Sequence, residues 1–254
     1  MTGLEGRTAV VTGGAGPLGR VLGATLAQAG ATVVVVDRQG AEELVASWGG
    51  PHRAVTADLM RPEGLAAVEA AVADHGACDV LVHNAAFTGT SGVPGYAVPF
   101  EEQTDEAFAA ATWLNLMVPF SLTRRLAPLL RAGGHGSVVM VSSIYGLVGP
   151  NMGLYEGTAM GNPAAYGATK GGLVQLTRYL ATVLAPHVRV NAFAPGGIER
   201  GQDQGFVDRY SRLTPLGRMA TEQDFAGVLT WLAGDGSAYV TGQTVAVDGG
   251  WTAW

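Results

Sequence analysis

Tyr166 and Lys170 lie four residues apart in the run Pro163-Ala-Ala-Tyr166-Gly-Ala-Thr-Lys170, a short way after Ser142-Ser143. On a helix, positions i and i+4 share a face, so the ammonium can hold the phenol near its anionic form. A phenol tuned in this way, with a hydroxyl beside it, can give and take a proton at a reacting oxygen. Taken alone the pair also fits an exposed tyrosine beside a solvated lysine. Its meaning rests on the elements that carry it.

Upstream, the run Val10-Val11-Thr12-Gly13-Gly14-Ala15-Gly16-Pro17-Leu18-Gly19 follows an apolar strand and opens a helix, and residues 14 to 19 read G-x-G-x-x-G. Glycines there permit a tight turn and bring a pyrophosphate close to backbone N–H groups at the positive end of a helix. Thr12, Gly13, Gly16, Leu18 and Gly19 are therefore the expected phosphate cradle. Pro17 has no N–H and is tolerated as an early helix residue. Asp37 closes the second apolar run, near the spacing at which a carboxylate takes the ribose hydroxyls of a dinucleotide. It would repel a 2′-phosphate, so NAD is expected over NADP, although Arg38 could turn to meet that phosphate. Asp58-Leu59 either caps a helix or touches the adenine. Asn84-Ala85-Ala86 is either a close pass along the cofactor or a plain turn.

Between these motifs, short β-branched runs alternate with alanine- and leucine-rich segments of helical period. The pattern predicts strands over Thr8–Val11, Thr32–Val36, Ala54–Thr56, Val80–His83, Ser137–Ser142, Val188–Ala192 and Thr244–Val247. It predicts helices over Leu18–Ala29, Ala41–Trp48, Pro62–His75, Thr104–Leu130, Pro163–Leu184 and Glu222–Ala233. Such alternation implies an α/β fold: a doubly wound parallel sheet in three layers, with ligands at the C-terminal ends of the strands. With no internal repeat or flexible linker, residues 1–254 read as a single domain for both dinucleotide binding and catalysis.

The 254 residues carry a net charge of −6 and no basic cluster, which speaks against nucleic acid or an anionic membrane as partner. Only 14% of residues are charged and 48% are apolar, which suits a chain that hides surface in an oligomer. The N-terminal residues have no apolar leader and no stretch is long enough to span a bilayer, so a cytoplasmic protein is expected. One cysteine, Cys78, excludes an intrachain disulfide, and the five histidines show no ligand spacing. No catalytic metal is expected.

The glycine turn, the Asn84-Ala85-Ala86 segment, Asn115, Ser143, Tyr166-x-x-x-Lys170, Arg189-Val190-Asn191 and Pro195-Gly196-Gly197-Ile198 together resemble the classical short-chain dehydrogenase/reductase family. The resemblance runs from Gly6 to Gly250. It implies hydride transfer between a nicotinamide and a secondary alcohol or ketone, with Tyr166 as general acid/base and Lys170 lowering its pKa and binding the nicotinamide ribose. It further implies that Ser143 orients the substrate oxygen, that Asn115 serves a proton relay, that Pro195, Gly196 and Ile198 flank the nicotinamide, and that the protein is a homotetramer. The family places a glycine three residues after its serine, and Gly146 selects Ser143 over Ser142. Two rivals remain at this level: a sugar-nucleotide epimerase or dehydratase, and a non-catalytic dinucleotide-binding regulator.

The chain departs from the family pattern in Pro17, in His83 and Ala86, and above all in a gap from Ser143 to Tyr166 about ten residues longer than usual. The insertion, 149–163, must lie beside the active-site mouth, because both its ends are anchored there. Tyr155, Glu156 and Asn162 are then candidate substrate contacts, or the loop serves only subunit packing. Tyr155 has no lysine one turn later and is not the base. The segment 199–218 is expected as a substrate lid, its Glu199, Arg200, Gln202, Asp203, Asp208 and Arg209 suggesting a polar, sugar-like or natural-product ligand, or else a solvated amphipathic helix. The longer loop bears a weaker resemblance to sugar-pathway oxidoreductases.

Overall fold

The computed structural model describes residues 3–89 and 91–254. Seven strands, β1 (Thr8–Thr12), β2 (Thr32–Asp37), β3 (Arg53–Thr56), β4 (Val80–His83), β5 (Gly136–Val141), β6 (Val188–Pro195) and β7 (Thr244–Val247), form one parallel sheet in the order β3-β2-β1-β4-β5-β6-β7. Every residue of β1, β4 and β5 is buried. Strands apolar on both faces need cover on both, and crossover helices provide it. Helices α1 (Pro17–Gln28), α2 (Ala41–Trp48) and α8 (Ala226–Ala233) pack one face through Leu18, Leu22, Leu26, Leu44, Leu229 and Leu232. Helices α3 (Pro62–His75), α5 (Val118–Ala132) and α6 (Ala164–Leu184) cover the other, around Val68, Leu122, Leu126, Leu173 and Leu180.

The three-layer arrangement predicted from the pattern is thus present. Because the chain leaves β1 towards β2 and returns from β3 to β4 on the opposite side, a crevice opens where Thr12 and His83 stand in register. This is the switch point at which open α/β sheets bind ligands.

Two helices depart from expectation, one of them Glu222–Ala233, whose first four residues (Glu222–Phe225) form a 3-10 turn closed by a Thr221–Asp224 capping box before α8 begins. The segment read as continuous from Thr104 to Leu130 is α4 (Asp105–Thr112), a turn of π-helix (Trp113–Met117) and then α5. The cause is legible in Pro119, which has no N–H to give the carbonyl of Asn115 four residues earlier. A further helix, α7 (Gln204–Leu213), lies in the expected lid, and Asp203 caps it by accepting from Phe206 N–H. No helix among the described residues is long and apolar enough to cross a membrane.

Candidate active site

At the end of β1, Gly13 adopts φ +61°, and a side chain there would press on the Ala85 backbone. A Cβ on Gly19 would collide with the Gly13 carbonyl, so strand, turn and helix close up only because these positions are bare. Helix α1 starts after Gly16 with Pro17 in its first turn and no side-chain cap. The Leu18 and Gly19 N–H groups at that end are therefore donors for an anion. Thr12 sits beneath, its hydroxyl accepting from Asn84 N–H (3.1 Å) and Ala85 N–H (3.2 Å), while Asn84 Nδ2 donates to the carbonyls of Thr12 (3.1 Å) and Gly13 (2.8 Å). Asn84-Ala85-Ala86 is therefore laced to the glycine turn. The residues present fit a dinucleotide pyrophosphate.

Asp37, ending β2, accepts from Ala15 N–H at 3.0 Å through one oxygen and from Arg38 N–H at 2.7 Å through the other. Its carboxylate is thereby fixed at the rim of the turn, and the Arg38 side chain is exposed beside it. Asp58 accepts from Met60 N–H (2.9 Å) and pairs with Arg61 at 3.5 Å; it does not cap α3, whose N-cap is Arg61, while Leu59 is buried and its carbonyl accepts from Trp113 Nε1.

Ser142 and Ser143 follow β5 and point apart, as neighbours on an extended chain must. Ser142 donates to the Lys170 carbonyl at 2.9 Å, a structural bond. Ser143 Oγ instead accepts from Tyr145 N–H at 3.2 Å and lies near enough to Tyr166 to favour the phenolate. Gly146 lies where a Cβ would press on both the Lys170 carbonyl and Ser142 Oγ, which explains a glycine three residues after Ser143.

Tyr166 is half-buried on α6, packed against Tyr96, Ala107, Ala111 and Ala165. Burial holds its phenol above the ordinary tyrosine value, with Ser143 and Arg200 pulling the other way. Lys170 is buried; its Nζ donates to the Val141 carbonyl at 2.7 Å and stands 5.7 Å from the centre of the Tyr166 ring. Desolvation draws its pKa down to about 8. The sequence suggests an ammonium that lowers the phenol by direct contact. In this structure the ammonium is held by β5, and burial outweighs what favours the phenolate.

Asn115, in the π-turn, is buried; its Oδ1 accepts from Phe87 N–H (2.7 Å) and its Nδ2 donates to Thr169 Oγ1 (3.1 Å). It ties the segment after β4 to α6, directly behind Tyr166. Pro195 ends β6, Gly196 N–H donates to Val247 O (2.9 Å), and Ile198 bridges to Ala220. Thr12, Asn84, Ser143, Tyr166 and Pro195 thus stand at the C-terminal ends of β1, β4, β5 and β6, or just beyond them.

In the segment 199–218 most of the polar side chains are engaged within the fold. Arg200 pairs with Glu222 at 2.7 Å, Gln202 donates to Ile198 O, Asp203 caps α7 and Asp208 accepts from Gln204. Arg209 donates to the carbonyls of Leu154 (2.9 Å) and Glu156 (2.9 Å) in the insertion. The composition did not single out Tyr145 and Tyr210. Tyr145 Oη lies 3.0 Å from Tyr155 Oη, and Tyr210 Oη accepts from Gly197 N–H while its ring stacks on Trp251 at 4.3 Å. The available signal was their placement, one two residues after Ser143 and the other on the apolar face of an amphipathic segment.

Comparison with known proteins bears on this geometry. A family model described as enoyl-(acyl carrier protein) reductase matches residues 14–252. The cis-4-hydroxycyclohexanecarboxylate dehydrogenase of Sinomonas cyclohexanicum is 34% identical over 257 residues, covering 97% of each chain. A short chain dehydrogenase from Leptospira borgpetersenii, crystallised with bound NAD+, superposes with a TM-score of 0.87 at 30% identity, over 98% of this chain and 93% of that one. A gluconate 5-dehydrogenase from Burkholderia cenocepacia, in complex with NADP and tartrate, gives 0.86 at 28% identity, over 100% and 98%.

Proposed function

Given that the chain belongs to the short-chain dehydrogenase/reductase family and is an NAD(P)-dependent oxidoreductase of alcohols and ketones, we propose that Tyr166 is its general acid/base and a polar secondary alcohol or its ketone the substrate. The observation that carries this reading is the buried Lys170 ammonium, 5.7 Å from the centre of the Tyr166 ring at the sheet edge, with Ser143 near enough to favour the phenolate.

When bound, the nicotinamide supplies the hydride or accepts it. The chain supplies the proton and the geometry. Tyr166 moves the proton on the substrate oxygen, and Ser143 donates to that same oxygen as negative charge develops there. Lys170, tethered to Val141 O, keeps a positive charge beside the phenol without spending a direct bond on it, and binds the nicotinamide ribose. Asn115 fixes α6 against the segment after β4 and so holds the phenol's position for the relay. Thr12, Gly13, Gly16, Leu18 and Gly19 hold the pyrophosphate, Asp37 the adenosine ribose, and Pro195, Gly196 and Ile198 flank the nicotinamide.

Asp37 supports NAD over NADP, since a carboxylate fixed at the rim of the turn repels a second phosphate. A ring or chain alcohol with further oxygens suits a mouth lined by Tyr155, Tyr145 and Asn162, and the relatives that act on a hydroxycyclohexanecarboxylate and on gluconate handle compounds of that kind. A homotetramer is supported by the exposed Phe108, Met117, Tyr179 and Val183 along the helices from α4 to α6, apolar surface of the sort a second subunit covers.

The test is Tyr166→Phe, assayed with NAD and with NADP. Turnover is expected to fall about 10²- to 10⁴-fold with either cofactor, while the Kd for NADH stays within about twofold, and wild-type enzyme is expected to favour NAD. Retained turnover in the variant rejects Tyr166 as the acid/base.

A further inference from the structure

The insertion is a built structure. Asn151 opens its turn by accepting from Gly153 N–H at 3.1 Å, residues 152–155 coil into a short 3-10 helix, and Thr158 Oγ1 closes the turn on the Tyr155 carbonyl at 2.8 Å. Gly157, at φ +73°, permits the reversal that follows. From outside, the Arg209 guanidinium of α7 grips the Leu154 and Glu156 carbonyls, the main-chain acceptors on either side of Tyr155. The Tyr155 ring packs on Phe206 of the same helix, with centroids 5.5 Å apart. One side chain is therefore held from three directions in the middle of a loop that could have been left slack.

The held side chain ends in a hydroxyl paired with a second phenol, and the bonding of the pair is incomplete. Tyr155 Oη and Tyr145 Oη lie 3.0 Å apart, and Asn162 Nδ2 donates to Tyr155 Oη at 3.3 Å. The two phenols own two hydrogens between them. One is used in the bond they share, and the amide contributes a donor, not an acceptor. The second phenolic hydrogen meets no acceptor among the described residues. The pair is half-buried, and Tyr145 donates its N–H to Ser143 Oγ at 3.2 Å, which brings the pair to the serine's side of the cleft.

We propose that Tyr155, set in place by Arg209 and backed by Tyr145 and Asn162, is a specificity-determining residue that donates a hydrogen bond to a second oxygen of the substrate, next to the carbon that Tyr166 and Ser143 serve. The substrate class is then a vicinally oxygenated secondary alcohol, such as a polyol, a sugar or a hydroxylated ring. This rests on the assignment of Tyr166 as acid/base and deepens it. A loop that only spaced Ser143 from Tyr166 would need neither the grip from α7 nor a phenol with a donor to spare.

The experiment compares two matched probes, cyclohexane-1,2-diol and cyclohexanol, in wild-type enzyme and in Tyr155→Phe, which keeps the ring and its packing on Phe206 while removing one oxygen. The readout is the ratio of kcat/KM for the diol to that for the mono-alcohol, so any loss common to both probes cancels. Wild type is expected to favour the diol, and the ratio is expected to fall about five- to tenfold in the variant, the effect of one neutral hydrogen bond. The same ratio is read in Kd by calorimetry on enzyme saturated with NADH. Failure to turn over either probe counts against the acid/base assignment, and the Kd ratio then decides the role of Tyr155 by itself. No diol preference in the wild type, or a ratio unchanged within twofold in Tyr155→Phe, overturns the proposal.

Discussion

Around the glycine turn the fastening is done by main chain at close range. Gly14 N–H donates to Val36 O at 3.1 Å, Gly16 N–H to Gly13 O at 3.2 Å, and the side chains that take part, Thr12, Asp37 and Asn84, each bond to backbone. Across the cleft, the insertion and α7 are fastened chiefly by the ends of large side chains: Arg209 to Leu154 and Glu156, Tyr155 to Tyr145, Tyr210 to Gly197. The first construction tolerates almost no change in shape because its parts are peptide units. The second can be retuned one side chain at a time. A fold that keeps one cofactor while changing substrates needs that division.

The largest effect expected from the contrast is at Gly19. In Gly19→Ala the new methyl meets the Gly13 carbonyl, two backbone atoms with no flexible end to give way. Overpacking of this kind costs about 1 to 3 kcal/mol and deforms the anion cradle, so the NADH Kd is expected to rise at least about 100-fold, with a lower melting temperature. Its counterpart in the insertion, Gly149→Ala, has nothing within 4 Å of the added carbon and is expected to change both by little. Equal losses in the two variants would break the comparison.

His83 sharpens it next, since it stands under the cofactor side at the end of β4, in register with Thr12. The ring is buried, its Nε2 lies 2.9 Å from Thr123 Oγ1, its Nδ1 has no partner among the described residues, and desolvation lowers its pKa to about 3. The folded chain therefore keeps His83 neutral where the unfolded chain takes up a proton, from about pH 6.5 down to about 3. Stability from this group is complete above that window and is lost as the pH falls through it. Two pH units inside the window correspond to roughly 3 kcal/mol. Urea unfolding at pH 7 and pH 4.5 should thus show a loss in wild type that is smaller in His83→Gln by about that amount. An equal loss in both would mean that the ring finds a partner for its second proton.

The same division decides what the sequence discloses. Gly13, Gly19 and Asp37 are legible because a backbone requirement, whether a positive φ, a close approach or a strand end, dictates residue type at fixed spacing. Ser143 is separable from Ser142 because Gly146 must make room for α6. The strands are legible because burial on both faces demands apolar runs. The π-turn at Asn115 is foreseeable from Pro119, but helical periodicity carries straight across it, since both flanking helices bury the same face. Least legible are Arg209, whose charge suggests a ligand and whose partners are carbonyls that any residue could offer, and Lys170, whose reach to Val141 O depends on how α6 lies against β5. Contacts of side chain to distant main chain leave no mark on the acceptor's identity.

The smallest effect belongs to Arg209, and it tests whether the substrate side is an independent body. Arg209→Met keeps the aliphatic stem and removes the donors to Leu154 and Glu156. Charge-assisted bonds are worth about 1.5 to 3 kcal/mol when well shielded, but the Glu156 contact is exposed and water replaces part of it. About 1 kcal/mol of loop order is then lost, and KM for a vicinal diol substrate is expected to rise about fivefold, with kcat changed by less than twofold. The NADH Kd is expected to stay put, because the Gly197 N–H that reaches across to α7 is taken by Tyr210, the neighbouring residue, whose ring remains stacked on Trp251. If NADH binding weakens in step with KM, the two sides of the cleft respond as one, and α7 transmits through consecutive residues what the contrast assigns to separate constructions.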